Sequence, residues 1–329
     1  MEMTYEQWKE ARKGIKRYLS TSGWALLIYY AIMNVAVMGW IFVELIAKLM
    51  NGVLSGNFAG IESAVMQSTE SAWGYFLAAA AGLIILLIWK KPHYFRDEIF
   101  AKGAPMTPKD FFAILCIFLS GQTVFQLGSI LLEMVLNAFG YSMEAGFAAL
   151  QSDPDNFSMF LYAGILAPIT EEILFRGLIQ RSLLPFGKKF AILVSSFTFG
   201  LFHGNLIQAP YAFAVGLVLG YVAAEYNIFW AMVLHMINNL VLGDMLYRLL
   251  GGLPDNIVNV IVWGIIAVFT VAAVIVMIAR RKEIAAWLHE DVLYRDYVKC
   301  YFTCAGTVVM LIILGLNLIV TTFMLVLPL

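Results

Sequence analysis

Long apolar runs separated by short polar stretches dominate this chain. A helix that crosses the hydrocarbon core of a bilayer needs about 20 mostly apolar residues. Nine stretches qualify, at roughly 24–47, 73–89, 111–136, 159–180, 190–206, 209–224, 228–247, 257–279 and 304–327. The fourth to seventh carry polar residues and are short or interrupted. Within lipid each backbone N–H and C=O has to be satisfied inside its own segment, so the pattern predicts an all-α polytopic bundle of about nine transmembrane helices. Two further segments, 5–19 and 283–302, set apolar residues (Trp8, Ile15 and Leu19; Ile284, Trp287, Leu288 and Val292) among charges. Such segments suit a membrane surface, although a solvated tail explains the first equally well.

The basic residues give these spans a direction, because cytoplasmic loops are rich in Lys and Arg. They cluster in the N-terminal tail (Lys9, Arg12, Lys13, Lys16, Arg17), in the loop holding Lys90, Lys91, Arg96, Lys102 and Lys109, around Arg181, Lys188 and Lys189, and from Arg280 to Lys299. The alternate loops hold only Lys48 and Arg248. Nine spans with a cytoplasmic N-terminus fit this asymmetry, and an error of one span in the middle would break it. The expected organisation is a basic tail over 1–22, N-terminal spans over 23–110, a core over 111–245, and two additional spans over 246–329 with an interfacial segment at 280–302.

Composition agrees. Of 329 residues, 61% are hydrophobic and 13% charged, with a mean hydropathy of +0.82, far from a soluble domain. The net charge of −1 is spread along the chain, so nucleic acid is not an expected partner. The first twenty residues are polar and basic, and the apolar run after them is too long for a cleaved signal. The first span is expected to stay as an anchor, making this a multi-pass protein of the cell membrane with lipid as a partner. Cys116, Cys300 and Cys304 suggest neither a disulfide framework nor a metal pair.

Three places break the apolar pattern. The first is Glu171-Glu172-Ile173-Leu174-Phe175-Arg176. A charge at the centre of a membrane helix costs roughly 2.5–3.5 kcal/mol on insertion scales, so two adjacent carboxylates and an arginine call for a reason. Arg176 lies four residues after Glu172, the favourable order for a helical ion pair. Neighbouring residues point about 100° apart, which leaves Glu171 unpaired and free to face a cavity. Pro168 can kink the helix just before the acids. A structural ion pair locking two helices is the plainer explanation. The second place is Phe199-x-x-x-His203, where the aromatic ring shares a face with the imidazole and can orient it. The third is His235-Met236-Ile237-Asn238-Asn239, which puts His235 and Asn239 on one stripe. Two such donors suit a developing oxyanion, and interhelical polar contact is the plainer alternative. Between them, Gly216 and Gly220 allow close helix approach, and Gln122, Thr123 and Gln126 add polar groups to the third span.

Together these residues can activate water by general-base catalysis and stabilise an oxyanion, giving hydrolysis of an amide inside the membrane. A zinc site of Glu171, His203 and His235 is the rival assembly, with zinc as the alternative to no cofactor. A transporter would also place ionisable groups in the membrane, but the internal repeats common in transporters are not found.

The three motifs, in this order, resemble those of the CPBP family, the CAAX protease and bacteriocin-processing (abortive-infection) proteins, which includes type II CAAX-prenyl endopeptidases. The resemblance spans about 111–245, with the last two spans as additions. It implies a membrane-embedded endopeptidase in which Glu171 and His203 activate water, His235 and Asn239 form the oxyanion site, and Glu172 and Arg176 support it. It implies a membrane-associated or lipid-modified protein or peptide as substrate. The family was first classed as metalloproteases, and the glutamate–water mechanism is the one followed here. A non-catalytic immunity or scaffold protein of the same fold is the alternative.

Overall fold

A computed structural model describes residues 5–55, 71–144, 146, 156–240, 246–289 and 295–328. The expected end of the seventh span, the loop at 147–155 and part of the segment at 290–294 lie outside the described residues. Helices occupy all nine regions marked by apolar runs. Among the described residues six are long and apolar enough to cross a membrane by length and composition. They are α1 (Tyr5–Ser55), α2 (Trp73–Ile99), α3 (Pro108–Ala138), α4 (Phe157–Phe186), α9 (Asp255–Ala279) and α12 (Ala305–Leu325). The middle helices α5 (Lys188–Phe202), α6 (Ala209–Glu225) and α7 (Ile228–Leu240) are shorter. Short helices α8 (Leu246–Leu250), α10 (Arg281–His289) and α11 (Arg295–Phe302) complete the chain. Among the described residues the bundle is all-α, apart from one antiparallel pair between β1 (Tyr141–Ser142) and β2 (Leu327–Pro328).

Helix starts follow local chemistry. Thr107 caps α3, its Oγ1 accepting from Asp110 N at 3.1 Å, with Pro108 in the first turn where no N–H is needed. Asn156 and Asn227 cap α4 and α7 in the same way. The N-terminal basic segment is helical and runs into the first span without a break, so α1 has 51 residues.

The core brings α4, α5, α6 and α7 together, with Phe175, Leu178, Phe199, Leu219 and Leu234 among its buried side chains. The N- and C-terminal helices wrap it, and α1 also packs on α12 through Leu19, Leu26, Met310 and Leu314. Large apolar residues elsewhere face outward, Val35 at 73% and Phe323 at 76% exposure. Outward apolar side chains are what lipid as the solvent selects.

The ends of the helices segregate. At one end Asp110 pairs with Arg280 at 2.7 Å, and Glu225 takes Lys188 Nζ at 2.7 Å and Trp287 Nε1 at 2.8 Å. The Asp110 hydrogen bond raises the Arg280 guanidinium above its ordinary value. At the other end β1 meets β2, and Leu206 N donates to Thr322 Oγ1 at 3.0 Å. The Lys/Arg-rich loops 102–110, 187–189 and 280–289 thus share one end. Segment 281–289 docks on the core there, Trp287 lying 5.3 Å from the Tyr221 ring.

Candidate active site

α4 is not a uniform α-helix. Wide π-type turns at Tyr162–Leu166 and Ile173–Gln180 flank the regular turn Ala167–Glu172. Pro168 has no N–H to give to the turn before it, and a widened turn accommodates that loss. π-turns inside α-helices are frequent at functional sites. Here they bracket the two glutamates.

The expected pair between Glu172 and Arg176 forms. Arg176 Nη1 donates to Glu172 Oε1 at 2.9 Å, and both side chains are fully buried. The same Glu172 oxygen accepts from His235 Nδ1 at 2.9 Å, so the first and third motifs meet through one carboxylate atom. Arg176 Nη2 donates to the carbonyl of Gly216 at 3.1 Å, and its guanidinium lies 4.5 Å over the Phe199 ring.

Glu171 occupies a different setting. Its side chain is 20% exposed, and Oε2 lies 3.7 Å from His235 Nε2. This corrects one expectation: Glu171 is free of Arg176 but has His235 as a close neighbour. Two adjacent carboxylates therefore differ sharply, one fully buried between Arg176 and His235 Nδ1 and the other partly exposed beside His235 Nε2. Such division of environments is how paired acids acquire different roles.

Both histidines have a fixed tautomer. His203 Nδ1 lies 2.9 Å from Phe199 O. A carbonyl only accepts, so Nδ1 carries the proton and Nε2 keeps its lone pair in the neutral ring. Glu172 likewise fixes the proton of His235 on Nδ1, leaving Nε2 toward Glu171. Phe199 holds both rings edge-to-face, at 4.7 Å from His203 and 5.7 Å from His235. The sequence marks Phe199 only as a neighbour of His203. The fold makes it the common wall for His203, His235 and Arg176.

Asn239 is engaged. Its Nδ2 donates to Ala163 O at 2.9 Å, and its Oδ1 accepts from Asn238 at 3.0 Å. The helix widens into a π-turn at 238–240, so the simple stripe of His235 and Asn239 does not hold there. Asn238 Oδ1 in turn accepts from Tyr211 Oη at 2.6 Å and from Gln122 Nε2 at 3.1 Å. Tyr211 gives no sequence signal, because its polar tip matters only once α6 lies beside α7. Gln180 is the other omission. It donates to Gly220 O at 2.8 Å, one turn from the Arg176–Gly216 bond. The glycines at 216 and 220 thus do more than allow approach: they expose carbonyls of α6 to two polar side chains of α4. A Cβ at Gly216 would sit 3.2 Å from Arg176 Nη2.

His203 closes α5, and Gly204 follows with φ +70°. Asn205 Nδ2 donates to His203 O at 3.0 Å, and α12 supplies Thr322 to Leu206 N at 3.0 Å. Asn317 of α12 stands where a Gly204 side chain would go. A Gly204→Ala protein is expected to lose about 1–2 kcal/mol from the left-handed backbone. It should also lose activity as His203 shifts. Paired melting and turnover measurements check this; unchanged turnover at lower stability would separate the loop from the site.

Among the described residues no three His, Cys, Asp or Glu side chains group as ligands for a metal ion. Glu171, His203 and His235, the residues expected for a zinc site, form no such group as arranged. Cys300 and Cys304 are buried and free.

The six residues singled out from the sequence all fall within one stretch that has recognisable relatives. Residues 153–241 match the family described as type II CAAX prenyl endopeptidase Rce1-like. No curated protein and no solved structure matches the chain. The resemblance carried by the three motifs is thereby borne out over this segment: residues 153–241 are similar to the Rce1-like type II CAAX prenyl endopeptidases.

Proposed function

We propose that this protein is a multi-pass membrane endopeptidase that cuts a peptide bond in a membrane-associated or lipid-modified protein. The Rce1-like match implies a CAAX-protease-type hydrolase, and the assignment of roles to residues is our reading. Glu171 and His203 activate the water. We assign His235 and Asn239 to the oxyanion, with Glu172 positioning His235 and Arg176 holding Glu172. The observation that carries this is the buried bridge from Arg176 through Glu172 to His235, with Glu171 held 3.7 Å from the same imidazole. Because Nδ1 donates to Glu172, His235 can serve the oxyanion from Nε2 only when that nitrogen carries a proton as well. The end carrying the basic loops is the cytoplasmic one, with nine crossings of the cell membrane.

Comparison of peptide termini tests the reading, in membranes from cells making equal amounts of the wild type and Glu171→Gln. Termini that vanish in the variant are expected and would name the substrates, including whether cuts lie near a lipid-modified cysteine. Identical termini, with biological function intact, would instead favour a non-catalytic immunity or scaffold role. Activity is expected to survive exhaustive chelation; loss on chelation and recovery with zinc would return the metal mechanism.

A further inference from the structure

Five polar side chains form a stripe along the outer part of α3. Gln122, Gln126, Ser129, Glu133 and Asn137 succeed one another at helical spacing, which stacks them on one face. Polar groups inside a membrane span are costly unless they meet partners. The chain itself satisfies both ends. Gln122 donates to Tyr211 Oη at 2.7 Å and to Asn238 Oδ1 at 3.1 Å. Glu133 accepts from Ser142 Oγ at 2.7 Å and Met143 N at 2.9 Å. Asn137, with its carboxamide turned to donate, reaches Tyr141 O at 2.8 Å.

The middle is different. Ser129 Oγ is buried with no partner among the described residues. A cavity of about 380 Å³ runs beside it, floored by Gln126, Ser129, Glu133 and Asn137 and walled by Phe125, Ile130 and Met134. One helical turn from Gln126, Gln122 holds Asn238, and Asn238 in turn holds Asn239 of the third motif.

We propose that this groove seats an extended segment of the protein substrate flanking the bond to be cut. The assignment rests on the endopeptidase reading above. An extended chain entering a membrane brings unpaired backbone N–H and C=O groups with it. The amide of Gln126 and the hydroxyl of Ser129 offer both donors and acceptors to such a backbone. A lipid chain has no use for them. From Gln126 to Asn137 the stripe is ~16 Å long at helical rise, the span of about five extended residues. Phe125, Ile130 and Met134 give apolar walls for alternate side chains.

A photo-crosslinking amino acid placed at Ser129 or at Gln126, in full-length Glu171→Gln protein in native membranes, tests this. Leu131, on the opposite face of the helix and 62% exposed, is the control position. The expected result is capture, about tenfold above Leu131, of proteins whose termini depend on Glu171 in the wild type. Should substitution at 129 reduce the folded yield, position 126 gives the same readout. Capture of lipid alone, or of a second copy of this chain, while Glu171-dependent termini exist, would overturn the groove and leave the endopeptidase standing. Absence of any Glu171-dependent termini would overturn the enzyme reading and the groove with it.

Discussion

Replacing Glu171 with Gln is expected to slow peptide-bond hydrolysis by about 10²–10⁴-fold, the usual worth of a general base, with little change in stability. The amide keeps the size and shape of the carboxylate but takes no proton at this position. Glu171 is partly exposed and outside the Arg176 pair, so its neutralisation leaves no buried charge stranded. Glu172→Gln should behave differently, because Glu172 fixes His235 Nδ1 and neutralises Arg176 at once. Measured together, rates of appearance of new termini and thermal melts separate the two: Glu171→Gln loses rate alone, and Glu172→Gln loses rate and stability. Equal melting losses in both variants would mean that the two acids share one structural role.

The largest stability effect is expected for Arg176→Met. Removing one partner of a buried ion pair leaves the other charge uncompensated, which costs about 3–5 kcal/mol. Glu172 and Arg176 are both fully buried, and the guanidinium also holds the Gly216 carbonyl and stacks on Phe199. The double variant Glu172→Gln/Arg176→Met should recover part of the loss, because no buried charge then remains unpaired. A double-mutant cycle in detergent, read by thermal unfolding, measures this coupling. Strictly additive losses would show that the pair contributes through packing rather than charge.

Much of the site could be read from local spacing. Glu172 and Arg176 are four residues apart on one helix, and their pairing needs nothing beyond helical geometry. The same holds for Phe199 and His203, where ring contact and the Nδ1 bond to the Phe199 carbonyl both span four residues. The π-turns of α4 and α7 were not legible, because hydrophobic periodicity is too coarse to reveal one extra residue in a turn. Glu171 beside His235, and Asn239 on Ala163, depend on how α7 crosses α4, 64 and 76 residues away in the sequence. Tyr211 and Gln180 escaped notice for the same reason. A tyrosine in an apolar run and a glutamine near a helix end are unremarkable until another helix brings a partner.

By itself the sequence determined the membrane bundle, the regions that became helices, the three motifs and the Glu172–Arg176 pair. Each of these follows from interactions within one turn of helix or from the cost of charge in lipid, and both are local properties of the chain. Only the tertiary structure decided that one Glu172 oxygen serves both Arg176 and His235, and that Phe199 walls both imidazoles. It alone decided that α12, far outside the matched segment, pins the loop after His203. Those outcomes depend on which faces of separate helices meet. In lipid that choice is made by close packing and a few interhelical hydrogen bonds, which leave no periodic trace in the order of residues.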